Sequence, residues 1–245
     1  MKLVTTGIKS LDAVLGGGVL PGTTILLLGE SGVGAEVFAD QFVFGGLENG
    51  ENAFYFSTEK HIEGIKDNMA RLGFDVQKYE KKIDFIDAYL PRFAEALPST
   101  LTKGTSVQNI IGKSIGVDQL STLKSVIERD HGKKYRGVID SISFFLRNYE
   151  LEMVTDIVEV MSSIGRLSGG LHLLLMTRGI HDTIAENIMK HVAGGVFELF
   201  TREKGDRLER SIIIRKLRGM PTPTRIFPYN IEHTGIELDT TTRVL

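Results

Sequence analysis

A chain of 245 residues that is 42% hydrophobic and 24% charged has the make-up of an ordinary globular protein, long enough for one large core or two small ones. A formal net charge of −2 and a pI near 6.3 argue against a protein held to nucleic acid by its global field. The absence of cysteine excludes disulfides, thiolate metal sites and a cysteine nucleophile. The longest N-terminal apolar run, TTILLLG, is too short to cross a bilayer, and the opening MKLVTTGIKSLDAVLGGG lacks a signal-peptide hydrophobic segment. No membrane span and a cytoplasmic location are therefore expected.

Apolar runs at 23–29, 52–57, 83–88, 136–141 and 171–177 are continuous rather than alternating, as in parallel strands covered on both faces. Helical segments are predicted between them at 35–48, 61–72, 119–130, 150–168 and 183–191. This alternation specifies an α/β fold: a mostly parallel central sheet flanked by helices, with right-handed crossovers. Residues 90–118 have weak periodicity and many turn formers, and read as an inserted loop or lid. Beyond residue 194 two β-rich runs surround Lys204-Gly205-Asp206, the pattern of a hairpin. The stretch TRIFPYNIEHTGIELD supplies one or two further strands, so C-terminal antiparallel strands extend the sheet. Without repeats, low-complexity tracts or linkers, residues 1–245 are expected to form a single domain.

The stretch ILLLGESGVGAEVFADQF, residues 25–42, passes from strand to Gly-rich turn to helix. Its Gly29-x4-Gly34 spacing is the backbone half of a P-loop. Gly29, Glu30, Ser31, Gly32, Val33 and Gly34 can turn successive N–H groups inward as an anion-binding nest at a helix N-terminus. A working loop adds a Lys for the β/γ-phosphates and a Ser/Thr hydroxyl for Mg²⁺. Here those positions hold Ala35 and Glu36. One charge pair at about 4 Å and an effective dielectric near 20 is worth roughly 4 kcal/mol before desolvation. Losing the Lys therefore costs on the order of a thousandfold in affinity, and tight Mg·ATP binding in the usual pose is not expected. The tripeptide Gly112-Lys113-Ser114 mimics the missing residues, but Val107 stands where the first Gly of that pattern belongs.

Further along the chain, Asp140 ends an apolar strand in RGVIDSIS, where an acid can hold Mg²⁺ through water. Glu59 follows the strand of AFYFSTEK, where a carboxylate can orient an attacking water or simply face solvent at a helix start. Lys216 and Arg218 in IIIRKLRG are spaced i, i+2 and would share one face of a strand, either aimed at an anion or guarding a solvated edge. The six histidines show no metal-ligand spacing, and Phe38, Phe42 and Phe44 are expected in the core.

These segments, in order and over most of the chain, resemble the KaiC-like branch of the RecA superfamily. The opening TTGIKSLDAVLGGGVLPGTTILLLGESGVG, the strand FYFSTEK, the strand YRGVIDSIS and the segment RKLRGMPTP carry the likeness. The resemblance implies a RecA-like P-loop NTPase core, often a hexameric ring with ATP between neighbours. It implies that residues 29–34 wrap phosphates and that Asp140 is the Mg²⁺-side carboxylate. Glu59 becomes the water-activating acid, vestigial if turnover is lost, and Lys216 with Arg218 reach a neighbour's γ-phosphate. Where a close relative has two adjacent glutamates, this chain has Glu59-Lys60.

The departures cluster in the half of the site that a subunit uses on its own nucleotide. A pseudo-ATPase with a regulatory or scaffolding role is the leading expectation. It would form a homo-oligomer, or a hetero-oligomer with an active family member, or bind another protein or peptide. Glu36 is then expected to fill the nest or to meet a neighbour's Lys216 and Arg218. A weak ATP binder or slow ATPase, helped by Arg178 or another chain's cation, is the second reading, with ATP and Mg²⁺ as weakened ligands. A DNA-repair accessory using Arg202–Arg218 is the third, disfavoured by the near-neutral charge.

Overall fold

A computed structural model describes residues 2–89, 118–129 and 134–240, with only the backbone of Lys204. Its strands are β1 (Thr24–Gly29), β2 (Asn52–Ser57), β3 (Ile83–Asp87), β4 (Tyr135–Asp140), β5 (Leu171–Thr177), β6 (Gly195–Lys204), β7 (Arg207–Leu217), β8 (Phe227–Glu232) and β9 (Gly235–Leu238). They lie side by side in the order β3-β2-β4-β5-β1-β6-β7-β8-β9. Neighbours from β3 to β6 are parallel, and β6 to β9 are joined antiparallel. The mostly parallel α/β sheet with an antiparallel C-terminal extension is thus observed. The Gly205-Asp206 turn joins β6 to β7 as a hairpin.

The apolar runs are continuous because both faces of the sheet are covered. Ile25 and Leu27 of β1 point into one core, Leu26 and Leu28 into the other, and all four are fully buried. This is the two-residue period of a strand buried twice. The first core packs α1 (Lys9–Val14), α2 (Ala35–Glu48) and α3 (Ile62–Arg71). The second packs α4 (Gln119–Arg129), α5 (Ile142–Asn148), α6 (Leu151–Ser168) and α7 (Thr183–Val192). Phe38 and Phe42 lie in the first core, and Phe44 packs against it, stacked on Phe74. The helices α1 and α5 were not foreseen: at six and seven residues they are too short to display a 3.6-residue period. The loop or lid read over 90–118, with the Gly112-Lys113-Ser114 tripeptide, lies almost wholly outside the described residues. Asp118, at its end, is described and caps α4 by accepting the Ser121 N–H at 2.8 Å.

One buried charge ties the frame together. Arg136, near the start of β4, is inaccessible to solvent. Its Nε and Nη2 donate to the two Glu51 carboxylate oxygens at 2.8 and 3.2 Å. Nη1 donates to the Phe42 carbonyl of α2 at 2.9 Å, and Nη2 to the Thr5 carbonyl at 2.8 Å. The guanidinium also lies 4.8 Å from the Phe42 ring centre. Gly46 makes room for it: a Cβ there would stand 2.4 Å from Nε. Nearby, His172 is fully buried between the Tyr135 hydroxyl at 2.8 Å and Thr24 Oγ1 at 3.4 Å, and burial pushes its pKa down to about 3. Removing one partner of a buried ion pair strands the other charge at a cost of about 3–5 kcal/mol. Glu51→Ala should therefore lower unfolding free energy by about that amount in urea titrations; a loss of a few tenths would show that the pair is not structural.

Candidate functional site

The sheet register brings the predicted residues to one edge. Ser57 of β2 is level with Asp140 of β4, Asp140 with Leu175 of β5, and Thr177 of β5 with Gly29 of β1. The loops leaving these carboxyl ends surround a cavity of about 410 Å³ lined by Gly29–Gly32, Gly34–Glu36, Glu59, Asp140, Ser141 and Thr177. Crevices at the carboxyl ends of parallel strands are where α/β sheets bind ligands.

Residues 29–34 form a loop that ends in the N-cap of α2. Gly34 takes φ of 86°, a left-handed turn that caps the helix without a side chain. A Cβ on it would come within 2.3 Å of Ile231 Cδ1. From the same strand, β8, the Tyr229 hydroxyl donates to the Val33 carbonyl at 2.6 Å. The antiparallel extension thus clamps the loop from behind. Glu30 turns aside to accept the Thr201 N–H at 3.1 Å, while Ser31 and Gly32 are exposed at the mouth.

Glu36, at the first turn of α2, is ion-paired with Lys60, the residue that follows Glu59. Neither expectation for Glu36 had foreseen this partner in its own chain. Lys60 is mounted firmly: its N–H donates to Ser57 Oγ at 3.2 Å, and that hydroxyl donates to the Lys60 carbonyl at 2.6 Å. Glu59 accepts from Ser141 Oγ and from Arg147 of α5, each at 3.1 Å. Asp140 is buried and accepts from the Tyr55 hydroxyl at 3.4 Å. Burial, then the Glu36 and Glu59 carboxylates, push its pKa up to about 7 against the pull of Lys60 and Tyr55. Asp40, one turn further along α2, is also buried, and burial together with Asp140 and Glu36 raises its pKa well above the usual carboxylate range.

Tyr55, Asp40, Lys60 and Arg147 were not singled out for these contacts from the sequence. Asp40 gave a signal, a polar residue on an otherwise apolar helix face. The pairing of Lys60 with Glu36, 24 positions apart, is a product of folding.

The cations at the other end of the sheet do not share this cleft. Lys216 is level with Val196, which is level with Leu26. The Arg218 N–H donates to the Gly194 carbonyl, and the Gly194 N–H to that of Thr24. Thr24 lies five residue steps before Gly29, roughly 17 Å at about 3.3 Å each, and Leu26 three steps, roughly 10 Å. The ammonium of Lys216 caps α7, donating to the carbonyls of Lys190 and His191 at 3.1 and 2.6 Å, and burial beside Arg218 lowers its pKa. Arg218 lies one residue beyond the end of β7, where a turn begins, and its charge still acts on the Lys216 ammonium. Arg178 bonds through its N–H to the Gly29 carbonyl at 2.8 Å, but its guanidinium is 3.9 Å from Glu198, which Arg215 and Lys190 also approach.

Magnesium in this fold is met by a hydroxyl at the first turn of α2 and the acid ending β4. Here the first is a carboxylate already bonded to an ammonium, and the second is buried against the Tyr55 hydroxyl in surroundings that raise its pKa. Among the described residues no group of three or more His, Asp or Glu side chains is arranged to hold a metal ion. The residues present do not fit Mg²⁺.

Strand order, nest and carboxyl-edge acids together define a RecA-like P-loop protein. A family profile described as "ATPase: KaiC" matches residues 4–243, and the chain belongs to this KaiC-like family. It is 33% identical over 239 residues to a UPF0273 protein of Aeropyrum pernix, covering 95% of this chain and 92% of that one. It is 28% identical to a UPF0273 protein of Pyrococcus furiosus, covering 96% and 93%. A solved KaiC-like protein of Pyrococcus horikoshii superposes with a TM-score of 0.72 at 28% identity, covering 97% and 98%.

The raised pKa of Asp140 has a consequence for stability. Its pKa of about 7 when folded stands against 3.8 as its ordinary value. The folded chain therefore holds this proton more tightly than the unfolded one. The resulting stability is present below about pH 4 and is lost as pH rises through 7. Asp140→Asn should come nearest to wild type at about pH 4 and exceed it in unfolding free energy near pH 8. His172 gives the opposite slope between about pH 6.5 and pH 3, since it resists protonation when folded. It does so in both proteins and cancels from the comparison. An equal difference at the two pH values would refute this account of Asp140.

Proposed function

We propose that this KaiC-family chain keeps the fold and the cleft of its relatives but no longer turns over Mg·ATP, and that it acts as a regulatory or scaffolding subunit through contacts with other protein chains. One observation carries the reading: the position of the Mg²⁺-binding hydroxyl is held by Glu36, and that carboxylate is neutralised from within the chain by Lys60. Ala35, next to it, brings no charge to a phosphate. The vestigial acid Glu59 is engaged by Ser141 and Arg147.

The placement of Lys216 and Arg218 supports the assembly part of the proposal. Back along the strand direction from their own nest by roughly 10 Å for Lys216 and roughly 17 Å for Arg218, they serve a nucleotide only on another subunit. A homo-oligomer, or a mixed assembly with a competent family member, is the partner class this favours. In such an assembly the chain would contribute cations to a neighbour's site while its own stays silent.

Calorimetric titration with Mg·ATP tests the reading directly. No heat of binding is expected at micromolar nucleotide, and saturable micromolar binding would overturn it. For the assembly part, Lys216→Ala/Arg218→Ala should leave the circular-dichroism spectrum intact. In a mixture with a competent relative, it should lower the ATPase rate that wild type sustains. An unchanged rate would remove these cations from any role in trans.

A further inference from the structure

Lys60 reaches across from the end of β2 to the first turn of α2. Its ammonium is bonded to Glu36, the residue at the metal-binding position of α2. The same cleft is lined by Glu59 and by Asp140, the acid at the end of β4, and Lys60 acts electrostatically on that buried acid. Its backbone is pinned to the end of β2 by both bonds to Ser57 Oγ. A lysine presents a compact, strongly hydrated point charge, here delivered from a fixed mount to Glu36 and acting electrostatically on Asp140.

An isolated pair of partly exposed Lys and Glu side chains contributes little to stability, and the pair needs another explanation than holding the fold. Its setting supplies one. Asp140 is only 5% exposed, and Asp40 behind it is only 3% exposed. Without a cation at the mouth, the buried Asp140 and Asp40 carboxyls would face Glu36 and Glu59 with no opposing charge from Lys60. In a working P-loop site that charge is balanced by Mg²⁺ and its nucleotide.

We propose that the Lys60 ammonium is a tethered counter-cation that takes the electrostatic place of Mg²⁺ in this cleft and excludes the metal from it. The inference rests on the reading of the cleft as a P-loop site that no longer handles Mg·ATP, and it supplies the physical cause. A dication approaching Glu36 must displace the ammonium and then remain beside it. Any phosphate compound that enters the residue 29–34 nest therefore does so as a metal-free anion.

Mn²⁺ alone, followed by its EPR signal, and thermal unfolding in Mg²⁺ or EDTA provide the test. Wild type should leave the free Mn²⁺ signal undiminished up to millimolar metal and melt at the same temperature in Mg²⁺ and in EDTA. Lys60→Met removes the charge but keeps the apolar stem. It should bind Mn²⁺ roughly tenfold tighter or more and should be stabilised by millimolar Mg²⁺. Lys60→Arg, which keeps the cation, should behave as wild type. Stoichiometric Mn²⁺ binding by wild type, or a Lys60→Met protein as indifferent to metal as wild type, overturns the proposal. Should Lys60→Met not fold, the wild-type and Lys60→Arg measurements decide it. ATP binding separates this inference from the reading beneath it. Micromolar ATP binding that is equal in Mg²⁺ and EDTA would sink the non-binding reading and support the tethered cation. Binding seen only with Mg²⁺ would sink both.

Discussion

A guanidinium with no access to water imposes the constraint on which the cleft depends. Arg136 has no access to water, so its donors must find acceptors inside the protein. It finds them on Glu51, just before β2, on the Phe42 carbonyl of α2, and on Thr5 of the N-terminal segment. These contacts join β2, β4 and α2 at one end of the sheet. The other ends of the same three elements carry Lys60, Asp140 and Glu36. Fixing the strands at their starts sets the level at which they finish, and so sets which side chains meet in the cleft.

What meets there is a set of acids, each with a partner. Glu36 has Lys60, Glu59 has Ser141 and Arg147, and Asp140 has the Tyr55 hydroxyl and a pKa raised by burial. A P-loop site prepared for a triphosphate has the opposite bias, with cations waiting for an anion. The shape of the loop over residues 29–34 rests on the clamp from β8 and the left-handed Gly34, which depend on packing rather than on charge. Fold and chemistry are separable here because they reside in different atoms of the same loop.

The two ends of the sheet show a second separation. Lys216 caps α7 within its own chain and stands, with Arg218, far from its own nest. In the proposed function, a residue pair so placed serves no nucleotide in its own subunit. Its use in function is therefore a question about assembly, which is why the proposed role is one of protein contacts rather than of turnover.

The strands, the major helices and the position of the cleft were legible in the sequence because each rests on local chemistry. Continuous apolar runs mark strands covered on both faces, and Gly29 and Gly34 mark a turn at a helix start. The short helices α1 and α5 escaped because fewer than two full turns give no period. Arg218 was placed on a strand because spacing alone cannot say where β7 stops. By itself, then, the sequence determined the architecture and the absence of a lysine and a hydroxyl at residues 35 and 36. Only the tertiary structure decided what became of the charge left behind. Glu36 and Lys60 lie on different strand–loop units, and no local pattern couples them. They meet because parallel strands in register bring the carboxyl ends of β1 and β2 to the same edge of the sheet.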